Sequence, residues 1–250
     1  MSQVSIVIPT LNEATSLERT LRQLSLLDPP AKEILVVDGA SEDETVAIAK
    51  RIQSFNETVE VQILSCTRRG RSIQMNYGAS AATGDIICFL HADTWVPDDA
   101  IAVIEHTLKD TTVACGGFIS LMVGDQTTRW GISLHNFLKT YYAPLLFKPH
   151  LFFKGLRLLF GDQVMFCRRA DFWDCSGFDE TLLIMEDADL CLRLVNKGRI
   201  CQVNRIVQSS DRRVVRWGSW KATAIYLYIG ILWGFGVPAT YLKQFYQDIR

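Results

Sequence analysis

Cys88-Phe89-Leu90-His91-Ala92-Asp93-Thr94-Trp95 is the stretch that decides the fold. An apolar run over 86–90 breaks here into polar residues, with Asp93 at the tip. A buried strand of a parallel sheet reads this way where it ends at its carboxyl edge. Ligands of open α/β sheets bind beyond that edge. A carboxylate there is set for hard-cation and phosphate chemistry. The competing reading is local: Asp93 caps a short helix that begins at Pro97.

Upstream, 4–8 is a short β-branched run closed by Pro9-Thr10-Leu11-Asn12-Glu13. Leu17, Leu21 and Leu24, at spacings of four and three, predict a helix that Pro29-Pro30 stops. A second strand over 33–37 ends in Asp38-Gly39-Ala40-Ser41-Glu42-Asp43. Ser41, with Glu44 three residues on, predicts a capping box for a helix over 45–52. A third strand is expected over 59–65, and Arg68-Arg69-Gly70-Arg71 leads into a helix carrying Gln74, Asn76 and Gly78. Strand 85–90 completes a β-α-β-α-β-α-β alternation, which predicts a mostly parallel sheet with right-handed crossovers. The polar loops 9–13, 38–43 and 91–94 all follow strands and therefore converge on one edge. Asp38 stands where an acid after the second strand bonds a ribose or base. No G-x-G-x-x-G follows the first strand, which disfavours a dinucleotide fold.

Downstream, 114–123 reads as a strand, and 130–160 is aromatic and basic. The stripe Tyr141, Tyr142, Phe147, Phe152 and Phe153 is either a core helix pair or an acceptor- or lipid-facing surface. Gly161-Asp162-Gln163 precedes a strand-like run over 164–167. Glu186-Asp187 opens a helix through Leu190, Leu194 and Val195. Acids at a helix start are stabilised by the macrodipole. Capping needs one carboxylate, however, and Asp189 makes three. Arg212, Arg213 and Arg216 beside Trp217 suit a flexible segment that closes over a diphosphate, or else a solvated basic turn. Residues 222–242 carry no charge between Lys221 and Lys243. Gly230, Gly234, Gly236 and Pro238 interrupt them, and Tyr226, Tyr228, Trp233 and Tyr241 are rings that prefer interfaces. This favours a helix packed on the domain or lying in a membrane surface over a span.

At 250 residues and 48% hydrophobic composition, the chain can bury a sizeable core. Its net charge of −1 hides an asymmetry: residues 1–125 sum to −8 and residues 126–250 to +7. A basic, apolar second half suits a membrane surface or an anionic acceptor better than nucleic acid. Seven cysteines lie scattered without a C-x-x-C pair, as buried free thiols of a reducing compartment do. The N-terminus shows no basic region or cleavage site, so no signal peptide is expected.

Pro-Thr-Leu-Asn-Glu (9–13), Asp-Gly-Ala-Ser-Glu-Asp (38–43) and His-Ala-Asp (91–93), in this order, resemble family 2 glycosyltransferases of the GT-A fold. The likeness runs on through 69–79, 161–169 and 185–190. It is strongest towards a bacterial subgroup called "transferase 2, rSAM/selenodomain-associated". The resemblance implies a mostly parallel mixed sheet flanked by helices over 1–215, with a C-terminal helical extension over 216–250.

It further implies an inverting transfer from a nucleotide-sugar donor, assisted by Mg²⁺ or Mn²⁺. Pro9, Thr10, Asn12, Glu13, Asp38, Ser41, Arg71, Asn76, His91, Ala92 and Asp93 would face the donor, with Asp93 on the metal. Asp187 would be the general base and Glu186 its neighbour. Asp162, Gln163, Arg212, Arg213 and Trp217 would lie towards the acceptor or the diphosphate. Asp is usual in the family where His91 stands here, and the Gln-x-x-Arg-Trp of its processive synthases is absent. The expected partners are the donor, an acceptor of the lipid-linked kind, a membrane surface on the cytoplasmic side and a second copy of the chain, with no nucleic acid. The rival classes are a nucleotidyltransferase and a non-catalytic nucleotide- or membrane-binding protein. The first should carry a Gly-rich basic loop after strand one, which 9–13 is not.

Overall fold

The β-branched runs form the strands they predict. In the computed structural model, which describes residues 3–56, 58–124 and 127–246, β1 (Val4–Thr10), β2 (Glu33–Asp38), β3 (Glu60–Ser65) and β4 (Ile86–Phe89) lie parallel. Their side chains alternate between two cores, as strand geometry requires. Ile6, Ile8, Ile34 and Val36 face one side, where α1 (Leu17–Leu24), α2 (Thr45–Phe55) and α4 (Ala100–Lys109) pack. Val7, Leu35, Val37 and Phe89 face the other, against α3 (Arg71–Ala81). Leu17, Leu21 and Leu24 are fully buried, each worth roughly 1.5–3 kcal/mol.

The second half adds β5 (Thr94–Trp95), β6 (Val113–Val123), β7 (Phe166–Arg168) and β8 (Arg199–Ser210). The eight-stranded order is β3-β2-β1-β4-β7-β6-β8-β5. β7 runs antiparallel to both β4 and β6, and β8 runs parallel to β6. The sheet is thus mixed, with a parallel half carrying the expected loops. In register, Thr10 stands beside Asp38 and Asp38 beside Ser65. Those strand ends are therefore aligned. Helices α5 (Trp130–Phe147), α6 (Pro149–Phe153), α7 (Arg169–Asp174), α8 (Glu186–Leu194), α9 (Arg212–Trp217), α10 (Ser219–Gly234) and α11 (Ala239–Leu242) complete the described chain.

Five local expectations need correction. Asp93 does not cap the next helix, which starts at Ala100 behind Asp99 after a short strand. Ser41 caps nothing: its hydroxyl donates to Asp38 Oδ1 at 2.5 Å, and Asp43 instead accepts from the Thr45 amide. The Ser41 oxygen, which a cap would offer to the helix amides, instead accepts from the Asn12 amide at 2.9 Å. The strand expected over 164–167 begins only at Phe166, because Val164 sits in the left-handed region at φ 51°. Residues 212–217 form a helix rather than a flexible segment. Finally, 222–242 is broken between Gly234 and Ala239 into α10 and α11. Pro238 is the N-cap of α11. Among the described residues no helix is long and apolar enough to cross a membrane. The last four positions of the 216–250 extension lie outside the described residues.

Candidate active site

Three groups of polar side chains gather beyond the aligned strand ends. The first surrounds Asp38, which is buried at the end of β2. Its carboxylate accepts from the Ser41 amide at 3.0 Å and the Ser41 hydroxyl, with Thr10 Oγ1 at 3.5 Å. Asn12, at φ 56°, donates its amide to Ser41 Oγ and accepts from the Glu42 amide, both at 2.9 Å. Two turns are thereby laced together. Pro9 sits half-buried within β1, level with Val37 of β2. Gln74, which sequence reasoning left as a helix residue, donates to the Thr10 and Val37 carbonyls at 2.7 and 2.8 Å. A Cβ at Gly39 would stand 2.9 Å from that side chain. The glycine is the sequence signal for this close approach.

The second group is an ion-pair bridge. Arg212 Nη2 lies 2.6 Å from Asp93 Oδ2, and its guanidinium reaches Glu13 at 3.0 and 3.3 Å. Ala92 is buried, and its carbonyl takes the Thr20 hydroxyl at 2.7 Å, which anchors the loop to α1.

The third group is built on the start of α8. Met185 before it is left-handed, at φ 67°. Glu186 and Asp187 are buried rather than spent on capping, since Met185 is the N-cap and no side-chain cap bond forms. Arg71 stands between them, 3.3 Å from Glu186 and 3.1 Å from Asp187. Burial raises the Asp187 carboxyl to about 7, against the pull of Arg71 and with a push from Glu186. The Gly161 amide also donates to Asp187. A Cβ on Gly161 would overlap Arg71 Nη2 and His91 Nε2, so the loop is glycine because two side chains press on its Cα. His91 Nε2 is buried without a hydrogen-bond partner among the described residues. Burial first, then Arg71, Arg213 and Arg212, drive its pKa well below 6.5. The ring is therefore neutral.

The structure thus brings together Glu13, Arg71, His91, Asp93, Glu186, Asp187 and Arg212. Arg213 borders this group and acts on His91, Asp162 borders it and acts on Arg71 and Asp187, and other residues are spent elsewhere. Asn76 is consumed by the 177–180 turn, donating to the Phe178 carbonyl and accepting from its amide, both at 2.9 Å. Gln163 is buried between the Phe160 amide and Thr140 Oγ1. Asp162 accepts from Asn136 at 3.2 Å. Trp217 packs against Tyr226 and Tyr246, and Arg213 lies over the Tyr246 ring at 4.4 Å. Asp189 pairs with Arg193 at 2.6 Å one turn along its own helix.

Among the described residues no three His, Cys, Asp or Glu side chains group to hold a metal ion. After β4 the chain itself offers the Asp93 carboxylate, already paired with Arg212, and the unpartnered neutral imidazole nitrogen His91 Nε2. Mg²⁺ is commonly held by one or two carboxylates plus substrate phosphates, and an imidazole leans the set towards Mn²⁺. The residues fit a cation whose other ligands come with the substrate.

A sequence model described as Glycosyl transferase family 2 matches residues 5–175. The chain is similar to the pre-mycofactocin glycosyltransferase of Mycobacterium tuberculosis (strain ATCC 25618 / H37Rv), at 28% identity over 200 residues. The match covers 78% of this chain and 39% of that protein. It is also similar to the GalNAc(5)-diNAcBac-PP-undecaprenol beta-1,3-glucosyltransferase of Campylobacter jejuni, at 24% identity over 42% of this chain and 34% of the relative. The chain thus spans well under half the length of these curated relatives. Among solved structures, the mannosyltransferase PcManGT from Pyrobaculum calidifontis, in complex with GDP-Man and Mn²⁺, superposes with TM-score 0.72 at 20% identity. That match covers 94% of this chain and 63% of the other. Glucosyl-3-phosphoglycerate synthase from Mycobacterium tuberculosis, with Mn²⁺, uridine-diphosphate and phosphoglyceric acid, gives 0.64 at 18% identity, covering 95% and 80%. At these identities the structural likeness bears on the fold alone.

Proposed function

The chain belongs to glycosyl transferase family 2 and has its GT-A fold, and from that premise we propose that it transfers a sugar from a nucleotide-diphosphate donor to an acceptor hydroxyl with inversion at the anomeric carbon. The observation that carries this reading is the buried pair Glu186–Asp187, held by Arg71. Asp38, already fixed by Ser41 and Thr10, takes hydrogen bonds from the donor's nucleoside, with Pro9, Asn12 and Glu13 forming the wall around it. Arg71 and Arg212 turn guanidinium forks towards the diphosphate, a geometry suited to phosphate oxygens.

Asp187 takes the proton from the acceptor hydroxyl as that oxygen attacks the anomeric carbon and the nucleoside diphosphate leaves. A base titrating near 7 suits work at neutral pH. One base without a nucleophile across the sugar fits a single displacement. Glu186 keeps Arg71 in place and so positions Asp187. Mg²⁺ or Mn²⁺, held by Asp93 with His91 beside it, would act as a Lewis acid on the charge of the leaving diphosphate.

We further place the protein on the cytoplasmic side, in contact with the inner face of the membrane and acting on a lipid-linked acceptor. The support is the aromatic and basic surface within 216–246: Trp220 is 91% exposed, between Arg216 and Lys221. Residues 1–215 form the transferase unit in this reading. The test is turnover of a panel of UDP- and GDP-sugars with and without Mn²⁺. Metal-dependent release of the nucleoside diphosphate supports it. Binding without release would leave a non-catalytic binder, and loss of pyrophosphate from a nucleoside triphosphate would make it a nucleotidyltransferase.

A further inference from the structure

The end of the described chain returns to the catalytic pair. After the break at Gly236, α11 and a 3₁₀ turn (Lys243–Phe245) bring Tyr246 back to α8 and α9. Leu242, fully buried, anchors this segment in a small core with Ile184, Ile229 and Ala239. Tyr246 packs on that core, as does Met185, the residue before Glu186. From α9 the Arg213 guanidinium lies over the Tyr246 ring at 4.4 Å, and the Trp217 ring meets it edge-on at 6.1 Å. One ring therefore joins α9, which carries the arginine bridge, to the chain that enters α8.

The residue as a whole is half-buried, but its hydroxyl points inward. Burial raises the phenol to about 12, with Arg213 opposing, and the charges of Arg71 and Glu186 act on it too. The ring thus stands beside the Arg71–Glu186 pair, and its hydroxyl is neutral. Its packing contacts come from Arg213 over its face and Trp217 at its edge, so the ring rather than the hydroxyl sets its place.

Asp187, as a base, serves any hydroxyl that reaches it, water included. In hydrolysis the water oxygen would bond to the anomeric carbon as the bond to the diphosphate breaks. Asp187 would take the proton, and free sugar and nucleoside diphosphate would result. A transferase avoids this loss by keeping water from the position that its acceptor is to fill. We propose that Tyr246 covers the acceptor side of Glu186 and Asp187 and is the residue that makes this site favour an acceptor hydroxyl over water. The assignment rests on the transferase reading, with Asp187 as the base.

The test is hydrolysis of UDP-glucose and GDP-mannose without acceptor, at saturating donor with Mn²⁺, read as nucleoside diphosphate released. Hydrogen exchange of the amides over 184–190 is measured beside it, without nucleotide. Tyr246→Ala should raise kcat for hydrolysis about tenfold, and Tyr246→Phe, which keeps the ring, should stay within about twofold of the wild type. Exchange over 184–190 should quicken in Tyr246→Ala and not in Tyr246→Phe, while unchanged exchange over α2 reports an intact fold. Tyr246→Leu, with the same expectations, replaces the alanine variant if that folds poorly. Hydrolysis that is unchanged or slower without the ring would overturn the proposal, and so would an equal rise in Tyr246→Phe. No release from either donor by any variant would count against the transferase reading, and exchange would then decide the cover alone. Quicker exchange without the ring would uphold it, and equal exchange in all variants would overturn it.

Discussion

Arg212 Nη2 lies 2.6 Å from Asp93 Oδ2, joining the start of α9 to the end of β4 across 119 positions of sequence. The same guanidinium reaches Glu13 after β1. A single side chain therefore ties the two loops on either side of the donor edge. Under the proposed function the same N–H donors would turn to the diphosphate, and the side chain is already in position for it.

Asp93→Ala should abolish the Mn²⁺-dependent part of nucleoside diphosphate affinity and leave the fold intact. Arg212 keeps Glu13 as a partner, and a partly exposed pair contributes only about 0–1 kcal/mol. Calorimetric titration of UDP and GDP with and without Mn²⁺ is the check. An unchanged metal dependence would remove Asp93 from the metal.

Arg212→Lys keeps the charge but loses the planar fork that spans Asp93 and Glu13. Nucleoside diphosphate affinity should fall roughly tenfold, and further in Arg212→Ala. Full affinity in the lysine variant would mean that the charge alone suffices.

A methyl at Gly161 would overlap Arg71 Nη2 and His91 Nε2. Gly161→Ala should therefore force Arg71 away from Glu186 and Asp187 and cut turnover sharply. Glu186 and Asp187 are buried and would lose the cation that pairs them, so the melting temperature should fall as well. Retained turnover would show that this packing is incidental.

Two groups in the site give opposite pH signatures. Asp187 is raised from 3.8 to about 7, so between those values the native state holds a proton that the unfolded chain has released. Its contribution to stability therefore falls as pH rises through that window. His91 is pushed well below 6.5, so the unfolded chain binds the extra proton there and stability rises towards pH 6.5. Relative to the wild type, Asp187→Asn should thus gain stability from about pH 4 to about pH 7 and no further. Denaturant midpoints across this range are the readout. Curves that stay parallel would contradict a native carboxyl titrating near 7.

Much of this was legible in the sequence, because strands and loops leave local signals. The continuous β-branched run over 4–8 signalled a buried parallel strand, and polar residues after each such run marked the ligand edge. Glu186 and Asp187 stood out as more acid than one helix start needs. What the sequence hid depends on distant partners. Nothing near Asn76 or Gln163 tells that their amides are spent on backbone and on Thr140. The Ser41–Glu44 spacing matched a capping box, yet the Ser41 oxygen accepts from the distant Asn12 amide and its hydroxyl donates to Asp38. Trp217 was expected towards the acceptor or the diphosphate, and nothing near it in sequence foretells its packing on Tyr226 and Tyr246. An apolar cavity arises only where α10 meets α5, and no local pattern foretells that meeting.

The most direct test of the central claim is sugar transfer by Asp187→Asn, measured alongside donor affinity. The substitution keeps the shape of the side chain and removes its capacity to take a proton. Transfer should fall by about 10²–10⁴ while nucleotide affinity holds. Asp189→Asn, whose native carboxylate is already paired with Arg193, should stay active. Full transfer by purified Asp187→Asn would contradict the account.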